Sequence, residues 1–116
     1  MIEAVKTIEL STSYSSTSKV VVGEKIANLS QYLPSACQVI LLVDENVEQL
    51  YKKELSTYER LIVPLGERNK TLATVESLAR QLLSLGADRS TFIVGVGGGI
   101  TCDIANFVAS IYMRGV

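Results

Sequence analysis

Apolar and polar positions change rhythm along the chain, and each change predicts an element. Ala4-Val-Lys-Thr-Ile-Glu-Leu10 partly alternates, as a strand does. Ser11 to Ser18 is almost all Ser and Thr, a polar loop or a solvated continuation of the strand. Val20-Val-Val22 reads as a short strand broken by Gly23. Ile26, Leu29 and Leu33 then form one helical stripe, ended by Pro34. Beyond residue 36 the pattern becomes regular. Val39 to Val43 is an unbroken apolar run, the mark of a strand covered on both faces. Asp44 follows and can cap a helix that turns Val47, Leu50, Tyr51 and Leu55 inward and pairs Glu48 with Lys52 outside. Leu61-Ile-Val63 is another buried strand, and Pro64 to Lys70 a loop. Thr71 can cap a long helix with Leu72, Val75, Leu78, Ala79, Leu82 and Leu85 on its apolar face, and Gly86 suits the left-handed residue that ends it. Thr91 to Val96 is the next strand. The last helix, Thr101 to Met113, turns Ile104, Phe107, Val108 and Ile111 inside.

Strands alternating with amphipathic helices over short connections give a parallel sheet with helices on both faces. The expected fold class is therefore α/β, a Rossmann-like parallel sheet with flanking helices, in one domain over residues 1–116 with no internal linker. Ligands of such sheets sit beyond the carboxyl ends of the strands. Three of those ends carry suggestive residues: Asp44-Glu-Asn46, Gly66-Glu-Arg-Asn-Lys70 and Gly97-Gly-Gly99.

The glycine run is the strongest local signal. Three residues without a Cβ between a β-branched strand and a helix allow a sharp turn and let a ligand approach the backbone amides. The positive end of the helix dipole points at the same place. The run departs from the strict dinucleotide fingerprint, because Ile100 stands where the third glycine belongs. A pyrophosphate site is the favoured reading, against a tight turn with no ligand. Asp103 lies one turn into the helix and either complements its dipole or holds a ligand hydroxyl such as a ribose. Asp44 is either a cap or a ribose or base contact. Glu67 and Lys70 are either a solvated loop or an acceptor and donor turned to one side. Arg114 suits the helix C-terminus, and a guanidinium also grips phosphate or carboxylate. Cys102 reads as a small packing residue.

Composition narrows the chemistry. The 116 residues carry a net charge of −1, which draws the chain to neither nucleic acid nor an anionic membrane. No apolar run approaches the roughly 18 residues of a membrane span, and no secretory signal pattern opens the chain. Cys37 and Cys102 lie far apart, so a cytoplasmic protein with reduced thiols is expected. The chain has no histidine. That excludes His-based triads within it and removes the commonest metal ligand, so no catalytic and no metal-binding residue is assigned. The ending at Val116, just past Gly115, is read as that of a piece of a larger protein.

Taken in order, these pieces resemble the 3-dehydroquinate synthase family. The resemblance runs through Val43-Asp-Glu-Asn-Val47, Gly66-Glu-x-x-Lys70, Gly86-Ala-Asp-Arg-Ser90, Gly97-Gly-Gly-Ile-Thr-Cys-Asp103 and Phe107-Val-Ala-Ser-x-Tyr-Met-Arg-Gly115. It implies the amino-terminal NAD-binding domain of a dehydroquinate synthase-like fold, truncated before a helical domain that carries a catalytic zinc or cobalt ion. It further implies that Asp44, Glu45 and Asn46, with Glu67, Arg68, Asn69 and Lys70, line the adenosine side of NAD. Gly98, Gly99 and Ile100 would hold its pyrophosphate, Asp103 would contact it near a ribose, and Arg114 would reach the substrate. The implied enzyme is a phosphate-eliminating lyase of the shikimate pathway, a cytoplasmic homodimer that turns 3-deoxy-D-arabino-heptulosonate 7-phosphate into 3-dehydroquinate. The fragment alone is expected to be inactive. The alternatives are a related sugar-phosphate cyclase, a polyol dehydrogenase domain, and a stand-alone receiver-like module with Asp44 as phosphoryl acceptor. Two departures stand out: Asn106 where the family has glycine, expected to crowd helix packing, and Cys102 where a small residue is common.

Overall fold

The computed structural model describes residues 5–11 and 17–116. They fall into two compact units, one up to Leu33 and one from Pro34 to Val116, where the sequence pattern suggested a single domain.

In the first unit, β1 (Lys6–Ser11) and β2 (Thr17–Val22) pair antiparallel, with Ile8 opposite Val20 and Lys6 opposite Val22. Alternation puts Ile8, Leu10, Val20 and Val22 on one face, all of them exposed. Glu9 and Lys19 form an ion pair of 3.4 Å on the other. Most of the Ser/Thr-rich stretch, and Ala4 of the expected first strand, lie outside the described residues. The Ile26–Leu33 stripe forms a 3₁₀ helix, Ile26–Tyr32, that buries none of its residues. Glu24 holds it by accepting from the Lys25 amide, the Asn28 side-chain amide and the Tyr32 hydroxyl. Those donors pull the Glu24 carboxyl down to about 2. Leu33 is extended, as a residue before proline prefers.

The second unit is built on a three-stranded parallel sheet in the order β4-β3-β5, with β3 at Val39–Asp44, β4 at Glu59–Val63 and β5 at Phe92–Val96. Ile40 to Val43 are fully buried, as an apolar run between two strands and two covered faces requires. The helix expected after β3 is two short ones, α1 (Glu45–Leu50) and α2 (Lys52–Leu55), broken at Tyr51. The break leaves Leu50 and Tyr51 exposed, and Leu55 alone of the four expected inward residues is fully buried. It also redirects Glu48, which pairs with Arg60 of β4 at 2.7 Å instead of with Lys52. Arg60 donates further to the carbonyls of Leu55 and Tyr58, tying α2 to its strand. This pairing holds the Glu48 carboxyl below its usual range and the guanidinium above its own.

Helix α3 (Leu72–Ser84) starts on the Thr71 hydroxyl, which accepts from the Thr74 amide. It ends in a Schellman turn at Gly86 (φ 75°), with the Ala87 amide on the Leu82 carbonyl and the Gly86 amide on that of Leu83. Helix α4 (Gly99–Ile111) follows β5. It packs on β5, β3 and α3. Val75, Leu78 and Leu82 of α3 and Ile104, Ala105 and Val108 of α4 cluster with Ile40 and Leu42 of β3 and Leu61 and Val63 of β4. Phe107 and Ile111, read as interior, are 46% and 51% exposed, and Leu72 is 75% exposed. The residues of α4 that meet the core are Thr101, Ile104, Ala105 and Val108, a narrower stripe than its apolar composition suggests. Asn106 is exposed.

Candidate functional site: the cleft at the carboxyl edge of the sheet

The carboxyl ends of the three parallel strands meet at a cleft of about 120 Å³, lined by Asp44, Pro64 to Gly66, and Gly98 to Thr101. The glycine turn forms one wall, and its glycines are not alike. A Cβ on Gly97 would stand 2.8 Å from Asp44 Cβ and 3.0 Å from Thr101 Cβ, so this glycine is required by the fold. Around Gly98 and Gly99 a Cβ would meet no heavy atom within 4 Å. Nothing among the described residues demands their bareness, and they leave open space above the backbone. Gly98 is the N-cap of α4, and no side chain caps it. Cys102 N–H makes the first helical bond, to the Gly98 carbonyl. The amides of Gly99, Ile100 and Thr101 precede that bond, at the positive end of the helix. Gly95, deeper in β5, would put a Cβ 2.8 Å from Ala105 Cβ, and its absence lets α4 lie close on the strand.

Asp44 is the helix cap that the sequence offered as one of its two readings. Its Oδ1 accepts from the Val47 amide at 2.9 Å, capping α1, while the residue lines the cleft. Glu45 reaches across to the next loop, where its Oε1 accepts from the Leu65 amide at 3.2 Å. Asn46 is exposed nearby in sequence. The Glu67–Lys70 segment is a short 3₁₀ turn, Glu67–Asn69, entered through Gly66 at φ 94°. Asn69 closes the turn by donating to the Leu65 carbonyl, and Glu67 and Arg68 are exposed. Lys70 and Asp103, from different elements, form an ion pair of 2.9 Å. That contact, with Glu67 adding to it, raises the Lys70 ammonium above its ordinary value.

A second cavity, of about 360 Å³, adjoins this pair between the starts of α3 and α4, walled by Leu72, Val75, Ile104 and Phe107. Sequence reading missed it, because it treated Leu72 and Phe107 as core. Thr101, buried at 4% exposure and lining the cleft, was missed as well; its place two residues past the glycine run was the available signal. Cys102 is exposed rather than packed, and its thiol donates to the Gly97 carbonyl at 3.6 Å.

Arg114 stands apart from all of these. It follows α4, whose 13 residues set it about 20 Å along the axis from the glycine turn. Met113 and Arg114 take left-handed φ values of 49° and 70° there. The turn is fixed by buried Tyr112, whose hydroxyl donates to the Ala87 carbonyl at 2.8 Å, and by the Val116 amide on the Ala109 carbonyl. The structure therefore does not bring Arg114 to the cleft of its own chain.

The residues at the cleft fit the diphosphate of a dinucleotide: bare Cα positions, amides free of helical partners and a helix dipole converge on one space. They do not fit a metal. The chain has no histidine, and among the described residues no three potential metal-ligating side chains gather. No helix among them is long and apolar enough to cross a membrane.

An open parallel sheet with a glycine turn and an uncapped helix at its carboxyl edge defines a ligand-binding α/β domain of the Rossmann-like class. A solved structure, 2-deoxy-scyllo-inosose synthase complexed with carbaglucose-6-phosphate, NAD+ and Co2+, aligns with a TM-score of 0.63 at 30% identity over 78% of this chain and 27% of its own, a dehydroquinate synthase-like fold. Residues 60–116 match the family model described as 3-dehydroquinate synthase N-terminal. It is 31% identical to the 3-dehydroquinate synthase of Natranaerobius thermophilus over 94% of this chain and 33% of that protein. It is 36% identical to that of Alkaliphilus metalliredigens over 78% of this chain and 27% of that protein. The chain thus spans about a third or less of the length of these relatives. The family match displaces the receiver-like alternative.

Proposed function

We propose that this chain is the NAD-binding part of a 3-dehydroquinate synthase, the lyase that converts 3-deoxy-D-arabino-heptulosonate 7-phosphate into 3-dehydroquinate and phosphate in the shikimate pathway. The observation that carries the reading is the bareness of Gly98 and Gly99 above the uncapped start of α4, which the chain's own packing does not require. In this reading the amides beside Gly98, Gly99 and Ile100 hold the diphosphate. Asp44, Glu45 and Asn46, with Glu67, Arg68, Asn69 and Lys70, flank the adenosine side, and Asp103 takes a ribose hydroxyl. When bound, NAD supplies a hydride acceptor that is regenerated within one turnover, so the cleft must hold it without releasing it. The work of these residues is binding, orientation and exclusion of water. The zinc or cobalt ion, its ligands and the proton-transfer groups belong to the part of the relatives that this chain does not span. The substrate-binding role of Arg114, the homodimeric assembly and the cytoplasmic location belong to the same reading.

The 116-residue chain alone is expected to release no phosphate from the substrate when zinc and NAD are added, and turnover would overturn that part. A titration with NAD tests the site. Gly98→Val places a branched side chain in the open space, so it should abolish binding while the far-ultraviolet dichroism of the chain stays unchanged. Unchanged affinity in a folded G98V chain would refute the assignment. A related sugar-phosphate cyclase is the second reading, favoured by the likeness to 2-deoxy-scyllo-inosose synthase.

A further inference from the structure

Two cavities lie along the seam between the β4–α3 connection and the first turns of α4. One is the glycine-lined cleft. The other is the apolar cavity walled by Leu72, Val75, Ile104 and Phe107. Among the residues lining the two, Lys70 is the single cation, and it is already engaged: its Nζ donates to Asp103 Oδ2 at 2.9 Å. Asp103 is four residues past Gly99, one helical turn, about 6 Å along the axis. An anion arriving at the glycine turn finds free amides there, while the ammonium of the adjoining cavity is paired with a carboxylate of the same helix. The contact is open to solvent. Its two side chains are 40% and 63% exposed, and ion pairs this wet are weak and screened by salt.

We propose that the Lys70–Asp103 ion pair is an internal stand-in for the ligand's phosphate, exchanged when a diphosphate binds. Lys70 passes from the carboxylate to a phosphate oxygen, and Asp103, released, becomes free to accept from a hydroxyl of the ligand. This rests on the diphosphate reading of the glycine turn. It adds that the two residues oppose binding until they part, so their single substitutions act in opposite directions on a ligand that has phosphates and no hydroxyls. Charge balances throughout: the ammonium keeps one anionic partner before and after, and the carboxylate trades an ionic partner for a neutral donor.

Inorganic pyrophosphate separates this exchange from ordinary ligand contacts, since it offers nothing for Asp103 to accept from. Calorimetric titration of the 116-residue chain should show Asp103→Asn binding pyrophosphate about threefold to tenfold more tightly than the parent at low salt. Lys70→Gln should bind it more weakly, and the gain should vanish in the double variant. NAD should profit less from Asp103→Asn, because the amide replaces the hydroxyl acceptor. Unchanged or weaker pyrophosphate binding by Asp103→Asn overturns the proposal. So does a gain that survives in the Lys70→Gln background, which would reflect only the loss of a negative charge. Pyrophosphate binding with the expected signs but no NAD binding leaves the exchange standing and removes the dinucleotide reading. Absence of pyrophosphate binding in every variant overturns the exchange itself.

Discussion

Gly97 and Gly98 are neighbours of one residue type, yet the molecule uses them in opposite ways. At Gly97 a side chain would collide with the protein itself, with Asp44 Cβ at 2.8 Å and Thr101 at 3.0 Å. At Gly98 it would enter empty space. The first absence of a Cβ serves folding and the second has no internal beneficiary. A run of identical residues thus divides into a hinge that brings the end of β3 against α4 and a floor kept clear for something from outside. Gly95 belongs with Gly97, because its bareness is spent on contact with Ala105.

The sharpest break of this comparison is Gly97→Ala. Overpacking against backbone-near atoms that cannot swing away should cost about 2–3 kcal/mol, read as a lower urea midpoint at unchanged slope. A stability equal to the parent's would show that the turn is loose and that the division is false. The companion measurement is the unfolding of the Gly98→Val chain, expected within about 1 kcal/mol of the parent although its NAD binding is lost. A large destabilisation there would return Gly98 to the folding side.

A control away from the turn has a middle-sized effect. The Arg60 and Glu48 side chains are only 20% and 17% exposed, so Glu48→Gln should cost about 1–2 kcal/mol near neutral pH. Arg60 depresses the Glu48 carboxyl in the folded chain, so this contribution is complete above the ordinary value of 4.5 and is lost as pH falls from there through the folded value. The acid limb of the stability profile should therefore be shallower in the Gln variant, and parallel limbs would contradict the pairing. The smallest effect belongs to Leu72→Gln. At 75% exposure the change should move the midpoint by less than about 0.5 kcal/mol, whereas a core position would lose several times that.

Most of the α/β unit was legible because its signals are local. The unbroken run Ile40 to Val43 announced a strand covered on both faces, and the Thr71 cap and the Gly86 stop bounded α3 within a residue. The glycine turn lines the cleft at the carboxyl edge of the sheet, whereas Asp103 lines the adjoining cavity. What the pattern could not supply was pairing between elements. Glu48 had a helical neighbour in Lys52, and nothing in the linear order said that Arg60 would arrive from the next strand at 2.7 Å. Lys70 was weighed with Glu67 and Asp103 by itself, although Lys70 and Asp103 meet across 33 residues. Periodicity also overstated the core, since it counts every apolar residue near a stripe. Phe107, Ile111 and Leu72 are apolar without being covered by the described residues. The reading of Arg114 depended on resemblance, and the length of α4 separates it from the other candidates.

The middle strand sets a mechanical condition on whatever visits the cleft. β3 is laddered to β4 on one flank and β5 on the other, and its four residues Ile40 to Val43 are sealed from water. Backbone held this way opens only when the whole unit melts, so its amide protons should be among the last to trade for deuterium. Asp44 is mounted on the tip of that stiff rod and pinned again by the Val47 amide. It is thereby a fixed point of the cleft wall, and a dinucleotide bound as proposed would have to conform to this carboxylate.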